Sequence, residues 1–96
     1  STLTISKGTA DANYCKRIGN IVFFYVEIKS ITLASGWNTL AKLPSGYIPS
    51  VYFDFAGIDN STDTACHVKV TASGDVQVYK TASIGSAVRL SCMFIV

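Results

Sequence analysis

Charge is scarce in this chain. Asp, Glu, Lys and Arg make up 15% of its 96 residues, against roughly 25% in an ordinary soluble domain. The eight basic residues are scattered and the net charge is only +2, so no basic run or stripe is present to hold nucleic acid. No apolar segment approaches the length of about 18 residues that a membrane-spanning helix needs. The opening STLTISKGTA has neither the basic nor the apolar region of a signal peptide. Nucleic-acid binding and membrane insertion are not expected.

Paired cysteines are missing too. Cys15, Cys66 and Cys92 leave at least one thiol unpaired and include no CxxC, and an odd count fits synthesis in a reducing compartment. All three are expected to be unbridged, with Cys66 and Cys92 facing inward as small hydrophobes. A single histidine and no cysteine pair give zinc too few ligands. Asp59, Asn60 and Asp63 carry oxygens of the kind calcium takes, but no glutamate follows at EF-hand spacing. No metal and no cofactor is expected. The six acids, Asp11, Glu27, Asp54, Asp59, Asp63 and Asp75, fall mostly in loop or turn sequence. That is a poor source of the two carboxylates, about 5–10 Å apart in a cleft, that glycoside hydrolysis requires, and an enzyme is not expected.

Apolar residues, by contrast, are abundant at 49%. A domain of this size buries only about 60–65% of the surface of its unfolded chain, so part of that apolar surface is expected to be covered by another copy of the chain. The apolar residues alternate with polar ones. Gly19-Asn20 is a turn signal that joins residues 14–18 to residues 21–29 as a hairpin, in which Val22, Phe24, Val26 and Ile28 share the core face. Residues 51–56 place Val51, Phe53 and Phe55 on one face and Tyr52 and Asp54 on the other. Val88, Leu90, Cys92, Phe94 and Val96 form the inner face of a last strand. Phe23, Tyr25, Met93 and Ile95 are large apolar side chains on the opposite faces and are expected at a subunit interface.

Two prolines with Gly46 between them make residues 43–49 an extended corner. Residues 7–11 and 57–64 read as exposed loops, and 81–86 as a connection. The whole chain reads as all-β: an antiparallel sandwich or barrel, jelly-roll in style, with about seven or eight short strands and no helical period. It forms one domain over 1–96. Residues 2–6 are either a first strand or a tail end, and 1–12 are open to being the remnant of a neck or linker.

Residues 66–80, CHVKVTASGDVQVYK, define the most. Cys66, Val68 and Val70 alternate with His67, Lys69 and Thr71, and Val76 and Val78 alternate with Gln77 and Tyr79, as in two half-buried strands. A type I turn at Ala72-Ser73 with Gly74 in the left-handed position of a G1 bulge sets Thr71 opposite Asp75. Val70 then faces Val76, Lys69 faces Gln77, Val68 faces Val78 and His67 faces Tyr79; a slip of one residue would oppose apolar to polar side chains. The outer face carries His67, Lys69, Gln77 and Tyr79, with Trp37 as a candidate fifth member. Such a face offers an aromatic ring to the CH face of a sugar or glycerol, and imidazole, ammonium and carboxamide groups to hydroxyls or a phosphate. No carboxylate is expected there to partner the histidine. Polar outer faces are also commonly just solvated.

The hairpin with its Gly19-Asn20 turn, Gly36-Trp37-Asn38, the corner Leu43-Pro44-Ser45-Gly46-Tyr47-Ile48-Pro49 and the run HVKVTASGDVQVY together resemble the C-terminal head domains of receptor-binding and tail-fibre proteins of tailed bacteriophages, in particular the baseplate receptor-binding proteins of lactococcal siphophages. The likeness runs from about Tyr14 to Val96. It implies a homotrimeric β-barrel head at the tail tip or baseplate of the virion, assembled in the host cytoplasm with other tail proteins, that binds saccharide or glycerol-phosphate groups of the host cell wall. In such heads a histidine, an acid two positions later on the same strand and a tryptophan on the returning strand contact the ligand. His67 matches the first, Tyr79 lies at or next to the aromatic position, and Lys69 stands where the acid would be. The alternative is a structural trimerisation module of a fibre or baseplate in which these side chains are idle.

Overall fold

A computed structural model describes residues 1–81 and 85–96. The alternating segments become eight strands: β1 (Thr4–Ile5), β2 (Thr9–Ile18), β3 (Ile21–Lys29), β4 (Gly36–Lys42), β5 (Phe53–Asp59), β6 (Thr64–Val70), β7 (Asp75–Lys80) and β8 (Val88–Ile95). They form one antiparallel sheet in the order β1-β4-β7-β6-β5-β8-β3-β2, with no helix among the described residues. The first residues of the chain draw the two ends of that order together. Thr4 and Ile5 pair with Lys42 and Ala41 of β4. On the other side the Cys15 N–H of β2 donates to the Ser1 carbonyl at 2.9 Å, and the Asn13 carboxamide exchanges two bonds of 2.8 Å with the backbone of Leu3. The sheet is thereby nearly closed into a barrel of 38 × 24 × 20 Å.

The enclosed face is apolar because the alternation places Phe24, Val26 and Ile28 of β3, Val68 and Val70 of β6, Val76 and Val78 of β7, and Val88 and Leu90 of β8 inside, all essentially without solvent contact. Each such side chain contributes about 1.5–3 kcal/mol when withdrawn from water. Toward one end Phe24, Phe53, Phe55 and Phe94 pack edge-on or tilted, with centroids 5.0 to 6.4 Å apart. A bulge between Thr39 and Ala41 breaks the register of β4 with β7, which lets the consecutive residues Leu40 and Ala41 both be buried. Strands β5 and β8 pair only through Ile58↔Arg89 and Asp59↔Val88, so the barrel parts between the first half of β5 and the second half of β8.

Three sequence expectations are corrected. Residues 7–11 are not all loop: β2 already runs from Thr9, and the register shift between Ala10 and Ala12 makes Asp11 a bulge that hides the alternation. Val51 and Tyr52 precede their strand, and Val51 is 68% exposed and not on the core face. Residues 57–64 are not all loop either, since β5 continues through Asp59 and only residues 60–63 turn. Two inward positions there lack apolar side chains. A Cβ at Gly57 would collide with Leu90 and press on Val68 and Cys66. Asp59 is 1% exposed and accepts from the N–H groups of Ser61 and Gly85, each at 2.8 Å. Burial alone would push its carboxyl up; these bonds and the hydroxyls of Thr62 and Ser61 outweigh it and hold the group below its ordinary value. A carboxylate engaged in this way is not turned outward as a calcium ligand. The 81–86 connection lies partly outside the described residues.

All three cysteines are free thiols, Cys15 and Cys66 buried and Cys92 half-buried. Burial raises each thiol above its ordinary value, Cys92 up to about 12.

Candidate functional site

The β6–β7 hairpin has the expected turn and register. Gly74 stands at φ 89°, its N–H donates to the Thr71 carbonyl, and the Thr71 N–H donates to the Asp75 carbonyl, both at 2.9 Å. Val68↔Val78, Lys69↔Gln77 and Val70↔Val76 are cross-strand partners. The ladder stops at Val68↔Val78, so His67 and Tyr79, expected to face each other, are not ladder partners. Both meet Trp37 instead.

Trp37 comes from β4, where it is the direct partner of Tyr79 on β7. Its ring stands edge-on to Tyr79, centroids 5.2 Å apart, and edge-on to His67 at 4.8 Å. The Lys69 ammonium lies 4.1 Å from the Trp37 centroid and 5.9 Å from that of Tyr52, close enough for cation–π attraction. Gln77, the ladder partner of Lys69, instead bonds across to β4, with its Nε2 donating to Thr39 Oγ1 at 3.1 Å. Three members of the expected tetrad, His67, Lys69 and Tyr79, therefore converge on Trp37, and the fourth is engaged across the sheet.

The expectation that no carboxylate lies on this face is wrong. Asp54 on β5 is the ladder partner of Lys69 on β6, and its Oδ2 lies 3.0 Å from His67 Nε2. Both side chains are about half exposed, so the pair contributes no more than about 1 kcal/mol to stability. Tyr52, 63% exposed, borders the same group. The parity of residues 51–56 had already put Tyr52 and Asp54 on the outer face; which strand lies beside them is what parity cannot supply.

Next to the His67–Asp54 pair the surface sinks into a shallow depression of about 400 Å³ lined by Asp54, Phe55, Ala56, Ala65, Cys66 and His67. It is low because Ala56, the partner of His67, and Ala65, the partner of Ile58, have nothing beyond Cβ. Among the described residues no cluster of three metal-ligating side chains occurs, and His67 has no hydrogen-bonded hydroxyl or thiol. The arrangement therefore offers aromatic faces, one cation, an imidazole–carboxylate pair and a small-residue floor. These are the parts of a polar recognition surface.

The expected interface residues lie on the outer face of β2-β3-β8. Phe23 is the direct partner of Met93 and Tyr25 of Ser91, and Tyr14 packs on Phe23 with centroids 6.2 Å apart. Met93 and Ile95 are 67% and 74% exposed, and Tyr25 is half-buried. Ile18 and Ile21, partners across the β2–β3 turn, extend the same apolar strip and were not singled out in the sequence.

The chain is a nearly closed antiparallel barrel of eight strands that carries aromatic and charged side chains on its outer face. Among solved structures it is similar to the crystal structure of the receptor binding protein of Listeria phage PSA, with a TM-score of 0.68 and 20% sequence identity over 97% of this chain and 62% of that one. That likeness establishes the fold, and the chain spans less than two thirds of the neighbour's length. The neighbour comes from a Listeria phage, which does not support the lactococcal likeness expected from the sequence. No protein-family model and no curated protein matches the sequence.

Proposed function

We propose that this chain is the host-recognition domain of a phage tail protein, which attaches the virion to saccharide or glycerol-phosphate groups of the bacterial cell wall. The observation that carries this reading is the convergence of His67, Lys69 and Tyr79 on Trp37, with Asp54 and Tyr52 beside them, on four strands of a barrel similar in fold to a phage receptor binding protein. Tyr79 and Tyr52 offer exposed rings to sugar CH faces, Lys69 offers a cation to a phosphate, and Trp37 holds them together. Gln77 acts by positioning Thr39. The working unit is a homotrimer joined through Phe23, Met93 and Ile95, with Tyr25 at its margin, located at the tail tip or baseplate with other tail proteins and assembled in the host cytoplasm. Residues 1–12 act as part of the barrel and not as a neck. The domain acts by binding and not by catalysis.

A shallow site of this kind binds weakly, at roughly millimolar Kd, and becomes effective when several copies engage one surface. The test compares His67→Ala and Tyr79→Ala with the parent for binding to host cell-wall polysaccharide, with fold and oligomeric state checked first. Loss of binding in both supports the reading. Undiminished binding in both would make this face a solvated sheet surface and move the site elsewhere, first to residues 57–64; a parent that binds no polysaccharide favours the second reading, a structural trimerisation module, to which the exposed strip on β2-β3-β8 already lends weight.

A further inference from the structure

The His67–Asp54 contact defines which nitrogen of the imidazole is free. An ionised carboxylate only accepts hydrogen bonds, so a 3.0 Å contact between Asp54 Oδ2 and His67 Nε2 requires the proton on Nε2. In the neutral ring Nδ1 then carries a lone pair and no proton. Nδ1 has no hydrogen-bond partner among the described residues, and Trp37, edge-on at 4.8 Å and 74°, restrains the plane of the ring. The pair is half exposed and does little for stability. Its effect is on orientation.

Resting on the reading of this face as a saccharide site, we infer that Asp54 is a positioning residue. It accepts from His67 Nε2–H and so presents Nδ1 as an acceptor for a hydroxyl of the ligand, at the rim of the depression floored by Ala56 and Ala65. The unit recognised there is a hydroxyl donor, a sugar ring or a polyol. Lys69 and its aromatic neighbours act on other groups of the same ligand.

The experiment has two arms. The first records nitrogen-15 correlation spectra of the His67 ring in the ligand-free protein, at a pH high enough for the ring to be neutral. The protonated and unprotonated nitrogens resonate far apart and give distinct patterns. The parent is expected to show the proton on Nε2, and Asp54→Ala a mixture of tautomers. A parent ring protonated on Nδ1, or an Asp54→Ala spectrum identical to that of the parent, overturns the inference. The second arm measures binding of cell-wall polysaccharide to Asp54→Ala. Affinity should fall about three- to tenfold, as for loss of one ordinary hydrogen bond; full retention of affinity overturns the positioning role even where the tautomer is as expected. The first arm needs no ligand, so failure here is separable from failure of the saccharide reading. If His67→Ala loses binding while the parent ring is protonated on Nδ1, the site stands and the role given to Asp54 falls.

Discussion

Asp54 and Lys69 are direct partners across the β5–β6 ladder, yet each turns to something else. Asp54 bonds His67, and the Lys69 ammonium lies over the Trp37 ring. Opposite charges on facing residues would ordinarily pair. Here the indole takes the cation and leaves the carboxylate to the imidazole.

The contact between Lys69 and Trp37 should therefore be energetically coupled. A double-mutant cycle built from Lys69→Met and Trp37→Leu, followed by urea unfolding, is expected to give a coupling of about 0.5–1 kcal/mol. A cycle that closes at zero would mean that Lys69 reaches into solvent without leaning on the ring.

Gly57 sits where the core has no room for a side chain. Gly57→Ala should lower stability by about 1–3 kcal/mol through overpacking against Leu90 and Val68. A neutral result in chemical denaturation would show that β5 lies farther from β8 than described.

The same residue shows where the sequence was readable and where it was not. The β6–β7 hairpin could be registered in advance because every inward position is Cys or Val and the turn carries Gly74 where a left-handed residue is needed. In β5 the inward positions after Phe55 are Gly57 and Asp59, so the strand reads as loop although it continues for three more residues. Periodicity reports which face a side chain takes only while the inner face is apolar. It does not report which strand lies alongside. Asp54 was correctly placed outward, but its meeting with His67 depends on β5 pairing with β6, and the arrival of Trp37 depends on β4 crossing over to β7.

The three thiols should be slow to react in the folded protein and fast after denaturation. Burial raises all of them above the ordinary thiol value, which keeps them protonated at neutral pH. Titration in denaturant without reductant is expected to count three per chain. A count of one would reveal a disulfide.

Asp59 should make the barrel acid-sensitive. Its carboxyl is held below its ordinary value in the fold, so the unfolded chain takes up a proton at higher pH than the folded one. The stabilisation is complete above the unfolded value of about 3.9 and is lost as pH falls through the folded one. Asp59→Asn should flatten the acid limb of the stability curve, and its amide cannot accept from both Ser61 and Gly85 as the carboxylate does. An acid limb as steep as that of the parent would take Asp59 out of the explanation.

Self-association should depend on the β2-β3-β8 face. Sedimentation of the parent is expected to give a trimer, and Phe23→Lys combined with Met93→Lys a monomer that keeps its β-sheet circular dichroism. A parent that is monomeric at micromolar concentration would remove the interface, and a dimer would keep self-association while removing the trimer.

Ser1 to Ile5 bond to β2 on one side and to β4 on the other, and that double attachment bears on crowding. The outermost strands of an open sheet carry rows of unsatisfied N–H and C=O groups that can zip onto a neighbour. Under the proposed function the domain is displayed in many copies on one particle and meets its own kind at very high local concentration. With Ser1 and Leu3 seated beside Cys15 and Asn13, a neighbouring strand can pair with that stretch of the β2 edge only by displacing the chain's own first residues.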